Sequence, residues 1–147
     1  MKTRELTENT ARQLIGEFRE ALRTGSVDKI VACFADDIVL EDVPQRSACH
    51  GKAEVRKYME GWLGAFSNIE VSVPNWVLSG DCLIVEEVFK CTHTGPFLGY
   101  APTGGQIELR GCEIMNVRDG LVYRDCLYYD LTTILRQISA KEERRAA

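Results

Sequence analysis

Residues 107–131 read IELRGCEIMNVRDGLVYRDCLYYDL, and this stretch decides the fold. Ile107, Leu109, Met115 and Val117 recur on one phase of a two-residue alternation, and Tyr123, Leu127, Tyr129 and Leu131 do the same further on. Alternation at period two marks a strand with one buried face. Between the runs stands Arg118-Asp119-Gly120-Leu121, whose Asp-Gly pair suits the left-handed residues of a tight hairpin turn. The stretch therefore predicts two long antiparallel strands joined by a short turn.

Working outward, Leu83, Val85, Phe89 and Cys91 share one face of a preceding strand, and Ile69, Val71 and Val73 one face of another. Ile38 to Val43 gives a shorter, earlier strand. The segment from His93 to Gln106 holds several Gly and Pro residues but lacks the Lys-Ser/Thr ending of a phosphate loop, so it reads as a hairpin excursion. The first third has helical spacing instead. Ala11, Leu14, Ile15, Phe18, Ala21 and Leu22 line one helix, with Thr10 and Gln13 as a capping box and Gly25 as its end. Ser26 is a good N-cap for a second helix carrying Val27, Ile30, Val31 and Phe34. After Gly51, a third helix presents Val55, Tyr58, Met59, Trp62, Leu63 and Phe66. A short last helix presents Leu131, Ile134, Leu135 and Ile138, and a charged tail follows.

Helices first and antiparallel strands after predict an α+β fold, a curved sheet wrapped by helices around an apolar pocket. The 147 residues suit one domain, with a core over about residues 8–139 and a fraying tail over 140–147. A net charge of −4 argues against nucleic acid as a partner, because phosphate binding needs a basic face. No apolar run approaches the ~20 residues of a membrane span, and the first residues have no apolar core of a signal peptide. A soluble, cytoplasmic protein is expected. The six cysteines form no Cys-x-x-Cys pair and the two histidines no metal-ligand spacing, so reduced thiols and no structural metal are expected.

The informative residues are four acids on apolar strand faces. Asp42 follows Ile38 and Leu40 at period two, Glu87 sits between Val85 and Phe89, Glu113 lies two residues before Met115, and Asp125 lies between Tyr123 and Leu127. Facing one cavity, such carboxyls would be desolvated and their pKa values raised, as a general acid or base near neutral pH requires. A strand acid is as often solvated at a sheet edge or paired with Arg or Lys. Asp42, at the end of its strand before Pro44, is the first choice for a base, with Glu113 or Asp125 as the acid and Glu87 as the fourth candidate. Phe18, Trp62, Trp76, Phe89, His93, Met115, Leu127 and Tyr129 are candidates for the pocket wall.

The order of elements resembles the nuclear-transport-factor-two-like superfamily, a cone-shaped α+β barrel. Within it, His93-Thr94-Gly95-Pro96-Phe97-Leu98-Gly99, Pro102-Thr103-Gly104, Asp119-Gly120, Tyr128-Tyr129-Asp130-Leu131 and Leu135-Arg136-Gln137 resemble SnoaL-like polyketide cyclases. In those cyclases the last strand carries a catalytic aspartate where this chain has Leu127, and Asp125 stands two residues earlier on the same face. Phe34-Ala35-Asp36-Asp37 through Glu41-Asp42 resembles the ketosteroid isomerases around their general base, which falls on Asp42, while Phe18 stands where they have a tyrosine donor. The resemblance implies a cofactor-independent cyclase or isomerase of secondary metabolism acting on an apolar substrate by acid/base or shape-directed chemistry. Hydrolysis of an epoxide or ester, and noncatalytic ligand binding, are the alternatives. A homodimer is expected through the other sheet face, which carries Ile84, Val88, Ile114, Val122, Cys126 and Tyr128.

Overall fold

A computed structural model describes residues 6–147, apart from the side chain of Glu142. Helix α1 spans Glu8–Thr24 and α2 spans Val27–Ala32. The capping box expected at Thr10 is displaced by one turn: Thr7 is the N-cap and accepts from the Thr10 N–H. Gly25 closes α1 in the left-handed conformation, and Ser26 caps α2 by accepting from the Lys29 N–H. Phe34, expected on α2, instead opens strand β1, Phe34–Asp42. A short strand β2, Ser47–His50, follows; its polar sequence carries no alternation that would announce it. Helix α3, Lys52–Ala65, precedes the four long strands β3 Phe66–Ser79, β4 Cys82–His93, β5 Gln106–Arg118 and β6 Leu121–Tyr129. Helix α4 runs over Leu131–Ala146, so the segment expected to fray continues the last helix.

The six strands form one sheet in the order β2-β1-β6-β5-β4-β3. Only β1 and β6 pair in parallel; the other neighbours are antiparallel. The Asp119-Gly120 turn between β5 and β6 has both residues at positive φ, 53° and 79°, the geometry that matches strand twist. Irregular register in β3 against β4 lies between Ser67 and Glu70 and between Ser72 and Asn75. Such bulges bend a strand and increase its twist, which curves the sheet toward the helices.

A further irregularity between β5 and β6 reverses part of the sequence-based facing. Val117 pairs with Val122 but Asn116 pairs with Arg124, so Tyr123 is the extra residue. Val122, expected on the outer face, is therefore buried in the core. Tyr123, expected inside, points outward and donates to Asp81. Beyond the bulge Asp125, Leu127 and Tyr129 keep the inward phase.

The concave side buries one core built from α1, α2, α3, the inner strand faces and, from α4, Ile134 and Ile138. Helix α4 is fastened to β5 by Gln137, whose amide accepts from the Glu108 N–H and donates to the Glu108 carbonyl, both at 2.8 Å. The His93–Gln106 excursion folds back on the same end. Gly95 packs so closely there that an added Cβ would lie 1.9 Å from the Gly64 carbonyl oxygen, which excludes any side chain.

Candidate functional site

Alternation along three adjacent strands brings three acids to the inner face. In register, Glu113 on β5 stands opposite Val85 on β4 and Leu127 on β6. Glu87 and Asp125 are its diagonal neighbours, roughly 7–8 Å away as backbone pairs of that kind usually are. All three residues are buried: Glu87 is 4% exposed, Glu113 5% and Asp125 1%. Each has one carboxyl oxygen, Glu87 Oε2, Glu113 Oε2 and Asp125 Oδ1, that is buried with no hydrogen-bond partner. A charged carboxylate in such a place loses its hydration and gains nothing in return. Burial accordingly pushes Asp125 up to about 7 and Glu87 up to about 8, the latter also through the charge of Asp125 and against the pull of Arg19. Glu113 is raised well above the carboxylate range by burial and then by the charges of Asp125 and Glu87. The protons on such a group belong to the cluster as a whole.

Glu113 and Asp125 open onto a cavity of about 90 Å³ inside the cone. Phe18, Tyr58, Trp62, Phe66, Phe89 and Tyr129 supply its aromatic wall. Trp62 is the hub of that wall, with ring centroids 5.5 Å from Phe66, 5.3 Å from Phe97 and 5.8 Å from Tyr129. Leu127 also faces the cavity, directly opposite Glu113. A smaller space of about 10 Å³ lies behind Glu113, where Glu87, Met115 and Arg19 meet. It is about large enough for one water molecule.

Asp42 is differently placed. It is fully buried, but it does not line the cavity; it lies behind two tyrosines that do. Tyr58 donates to its Oδ2 at 2.8 Å, and the Tyr129 hydroxyl lies 3.0 Å from both oxygens. Gln45 adds its backbone N–H to Oδ1 at 3.1 Å and its amide to Oδ2 at 2.9 Å. The unpaired, cavity-facing setting expected for this acid is therefore not its geometry: the turn after β1 folds Gln45 back onto it. Burial of the two tyrosines, and after it the neighbouring Asp42, holds both hydroxyls well above their ordinary pKa.

Of the expected wall residues, Phe18, Trp62, Phe89, Leu127 and Tyr129 line the main cavity and Met115 lines the smaller one. Trp76 does not: the irregular register at Ser72–Asn75 sets it opposite Val85 on the inner face, but there it packs under the guanidinium of Arg12, 5.1 Å from the ring centre, and it is not part of the cavity lining. His93 does not either. It is buried at the end of β4, its Nδ1 3.1 Å from the Thr103 hydroxyl, and it ties down the glycine-rich excursion. Tyr58, Phe66 and Leu109 belong to the wall without having been singled out as site residues. Leu109 shares the alternation that exposed Glu113, and Tyr58 and Phe66 lie on the apolar face of α3, so their signal was present but indistinguishable from core. Cys91 also lines the cavity, its thiol pushed up to about 11 by burial. It stays protonated at neutral pH and is a weak nucleophile. Among the described residues, no group of three or more His, Cys, Asp or Glu is arranged to hold a metal ion.

A cone of helices and mixed, mostly antiparallel sheet enclosing buried acids defines the nuclear-transport-factor-two-like class. The chain belongs to the SnoaL-like polyketide cyclase family, whose model matches residues 12–138. Among solved structures it is similar to TsrD from Streptomyces laurentii, with a TM-score of 0.81 and 22% identity over 92% of this chain and 99% of that one. It is similar to IdmH from Streptomyces antibioticus, described as a candidate polyketide cyclase, with a TM-score of 0.75 and 21% identity over 88% and 98%. It is also similar to an epoxide hydrolase of the limonene-epoxide-hydrolase-like kind from M. tuberculosis, with a TM-score of 0.69 and 20% identity over 90% and 94%. These three likenesses are of fold. No protein of curated function matches the chain.

Proposed function

We propose that this protein is a cofactor-independent cyclase or isomerase that holds an apolar, polyketide-like substrate in the cone and moves protons with Asp125 and Glu113. The observation that carries the reading is that these two carboxyls are the acidic groups of an otherwise apolar cavity and each keeps an unpartnered oxygen. An acid of pKa near 7 is matched to proton transfer at neutral pH. In a cyclisation, ionised Asp125 takes a proton from the carbon next to a carbonyl, and protonated Glu113 hydrogen-bonds the enolate oxygen that forms. The enolate carbon attacks a second carbonyl of the same molecule, one carbon–carbon bond forms, and the new alkoxide takes the proton back. No electrons are gained or lost. In an isomerisation the same proton returns to a different carbon. Asp42 then acts as a positioning residue, fixing Tyr58 and Tyr129 in the wall.

The test is deuterium uptake by a small cyclic 1,3-diketone in heavy water, followed by NMR. Asp125→Asn is expected to slow the catalysed exchange by roughly 100-fold, the usual worth of a general base. Exchange unchanged in that variant overturns the assignment. Hydrolysis is separated by labelled water, because only a hydrolase places solvent oxygen in its product.

We also propose a homodimer through the outer sheet face, where Ile84, Val88 and Ile114 are half-buried and Val77 and Tyr128 exposed. A stable pair would bury more than about 1,000 Å². Sedimentation of a monomer at micromolar concentration would contradict it.

A further inference from the structure

The charge balance of the cavity is one-sided. Its lining includes two carboxyls and six aromatic rings, and no Lys, Arg or His among the described residues. The nearest cations are directed elsewhere. Arg19 of α1 reaches the smaller space behind Glu113, but its Nε is committed to the Val71 carbonyl at 2.7 Å. Arg124 is an exposed neighbour of Asp125 and reaches toward Asn116 and Cys126 on the outer face. Among the described residues, no salt bridge involves Glu87, Glu113 or Asp125. An anionic group at the cavity floor would meet carboxyls and ring faces, both repulsive to it, while a cation would meet two favourable partners.

We infer that the floor of this cavity is a site for a protonated amine, with Glu113 and Asp125 as its counter-charges and the aromatic wall of the cavity receiving the apolar remainder of the molecule. The inference rests on the reading of this cavity as the substrate pocket and names a class within it: apolar molecules carrying a basic nitrogen. An ammonium ion entering the site ionises a carboxyl that was protonated at rest, so binding releases a proton to solvent. The titratable and charged groups around the pair are Glu87 and Cys91 from β4, Cys112 from β5, Tyr129 and the outward-reaching Arg124 from β6, Tyr58 from α3 and, behind Glu113, Arg19 from α1. Arg124 lowers Asp125, while the charges of Asp125, Glu87 and Cys112 raise Glu113; amine binding strengthens as these acids ionise with rising pH, up to the pKa of the amine itself.

The probes are benzylamine, benzyl alcohol and benzoate, which share a ring and differ in charge. Calorimetry at about pH 8 is expected to show benzylamine binding at least about tenfold more tightly than benzyl alcohol, as one desolvated ion contact would give. Repeating the titration at about pH 6.5, where Asp125 is still largely protonated at rest, in buffers of different ionisation enthalpy should show proton release for the amine alone, and benzoate should not bind. Near pH 5.5, where the acids of this cluster stay protonated, the preference should shrink several-fold. Within the variant Asp125→Asn, benzylamine should fall to the affinity of benzyl alcohol. Equal affinity for amine and alcohol in the unaltered protein, while Asp125 still titrates near 7, overturns this inference and leaves the acid/base reading standing. Failure of all three probes to bind overturns the pocket reading, and this inference with it.

Discussion

Asp42 and Asp125 are the same residue, both on inward strand faces and both 1% exposed or less, yet their surroundings are opposite. Asp42 receives donors from Tyr58, Tyr129 and twice from Gln45. Asp125 has a buried oxygen with no partner, Glu113 as its diagonal neighbour on β5 and Glu87 beyond it on β4. Burial alone therefore says little about what an acid does. Donors at the rim of the sheet turn one into scaffolding, and their lack at its centre leaves the other a proton reservoir.

The comparison breaks most sharply on removal of the two carboxyls. Asp42→Ala orphans two buried hydroxyls and an amide, so denaturant unfolding should show a loss of about 3 kcal/mol. Asp125→Asn removes no donor's partner, and at about pH 8 it should be neutral or stabilising, because it deletes the cost of a buried charge. A larger loss for Asp125→Asn than for Asp42→Ala would reverse the two roles.

A smaller effect appears with pH. Asp125 rises from 3.8 to about 7 and Glu87 from 4.5 to about 8 on folding, so between those limits the folded chain holds more protons than the unfolded one. Their contribution to stability is whole below about pH 4 and is lost as pH rises through the folded values. The melting temperature should fall between about pH 5 and about pH 8, and Glu87→Gln with Asp125→Asn should flatten that slope. Asp130, the N-cap of α4, is lowered by its hydrogen bonds to Thr133 and Thr132 and works the other way, losing its contribution only as pH drops through its depressed value. A melting temperature that rose across neutral pH would contradict the buried, protonated cluster.

The smallest effect sharpens the Asp42 side. Tyr58→Phe removes one of several donors and leaves the carboxylate satisfied by the rest, so it should cost only about 1 kcal/mol. A loss matching that of Asp42→Ala would mean that Tyr58 alone holds the network together.

Much of this contrast lay within reach of the sequence. Period-two alternation on β4, β5 and β6 is enough to set Glu87, Glu113 and Asp125 on one face, since strands of this length allow no other phase for their apolar neighbours. The Asp119-Gly120 turn fixes which strands pair and nearly how. The Tyr123 bulge could not be read, because a one-residue insertion leaves the local pattern looking regular while it moves Val122 inside and Tyr123 outside. The partners of Asp42 were hidden for another reason. Tyr58 is 16 residues away and Tyr129 87, so their hydrogen bonds follow from how α3 and β6 pack and from no local motif. Trp76 and His93 look like wall residues by type alone, and each is drawn off by a partner that only the fold supplies, Arg12 and Thr103.

The most direct test of the account is the titration of the carboxyl carbons of Asp125 and Glu87 by NMR in the folded, ligand-free protein. Midpoints near 7 for Asp125 and near 8 for Glu87 are expected, with the Glu87 midpoint lowered in Asp125→Asn. Midpoints below about 5, the ordinary carboxylate range, would show the acids charged and partnered at neutral pH and would contradict the proton-holding cavity.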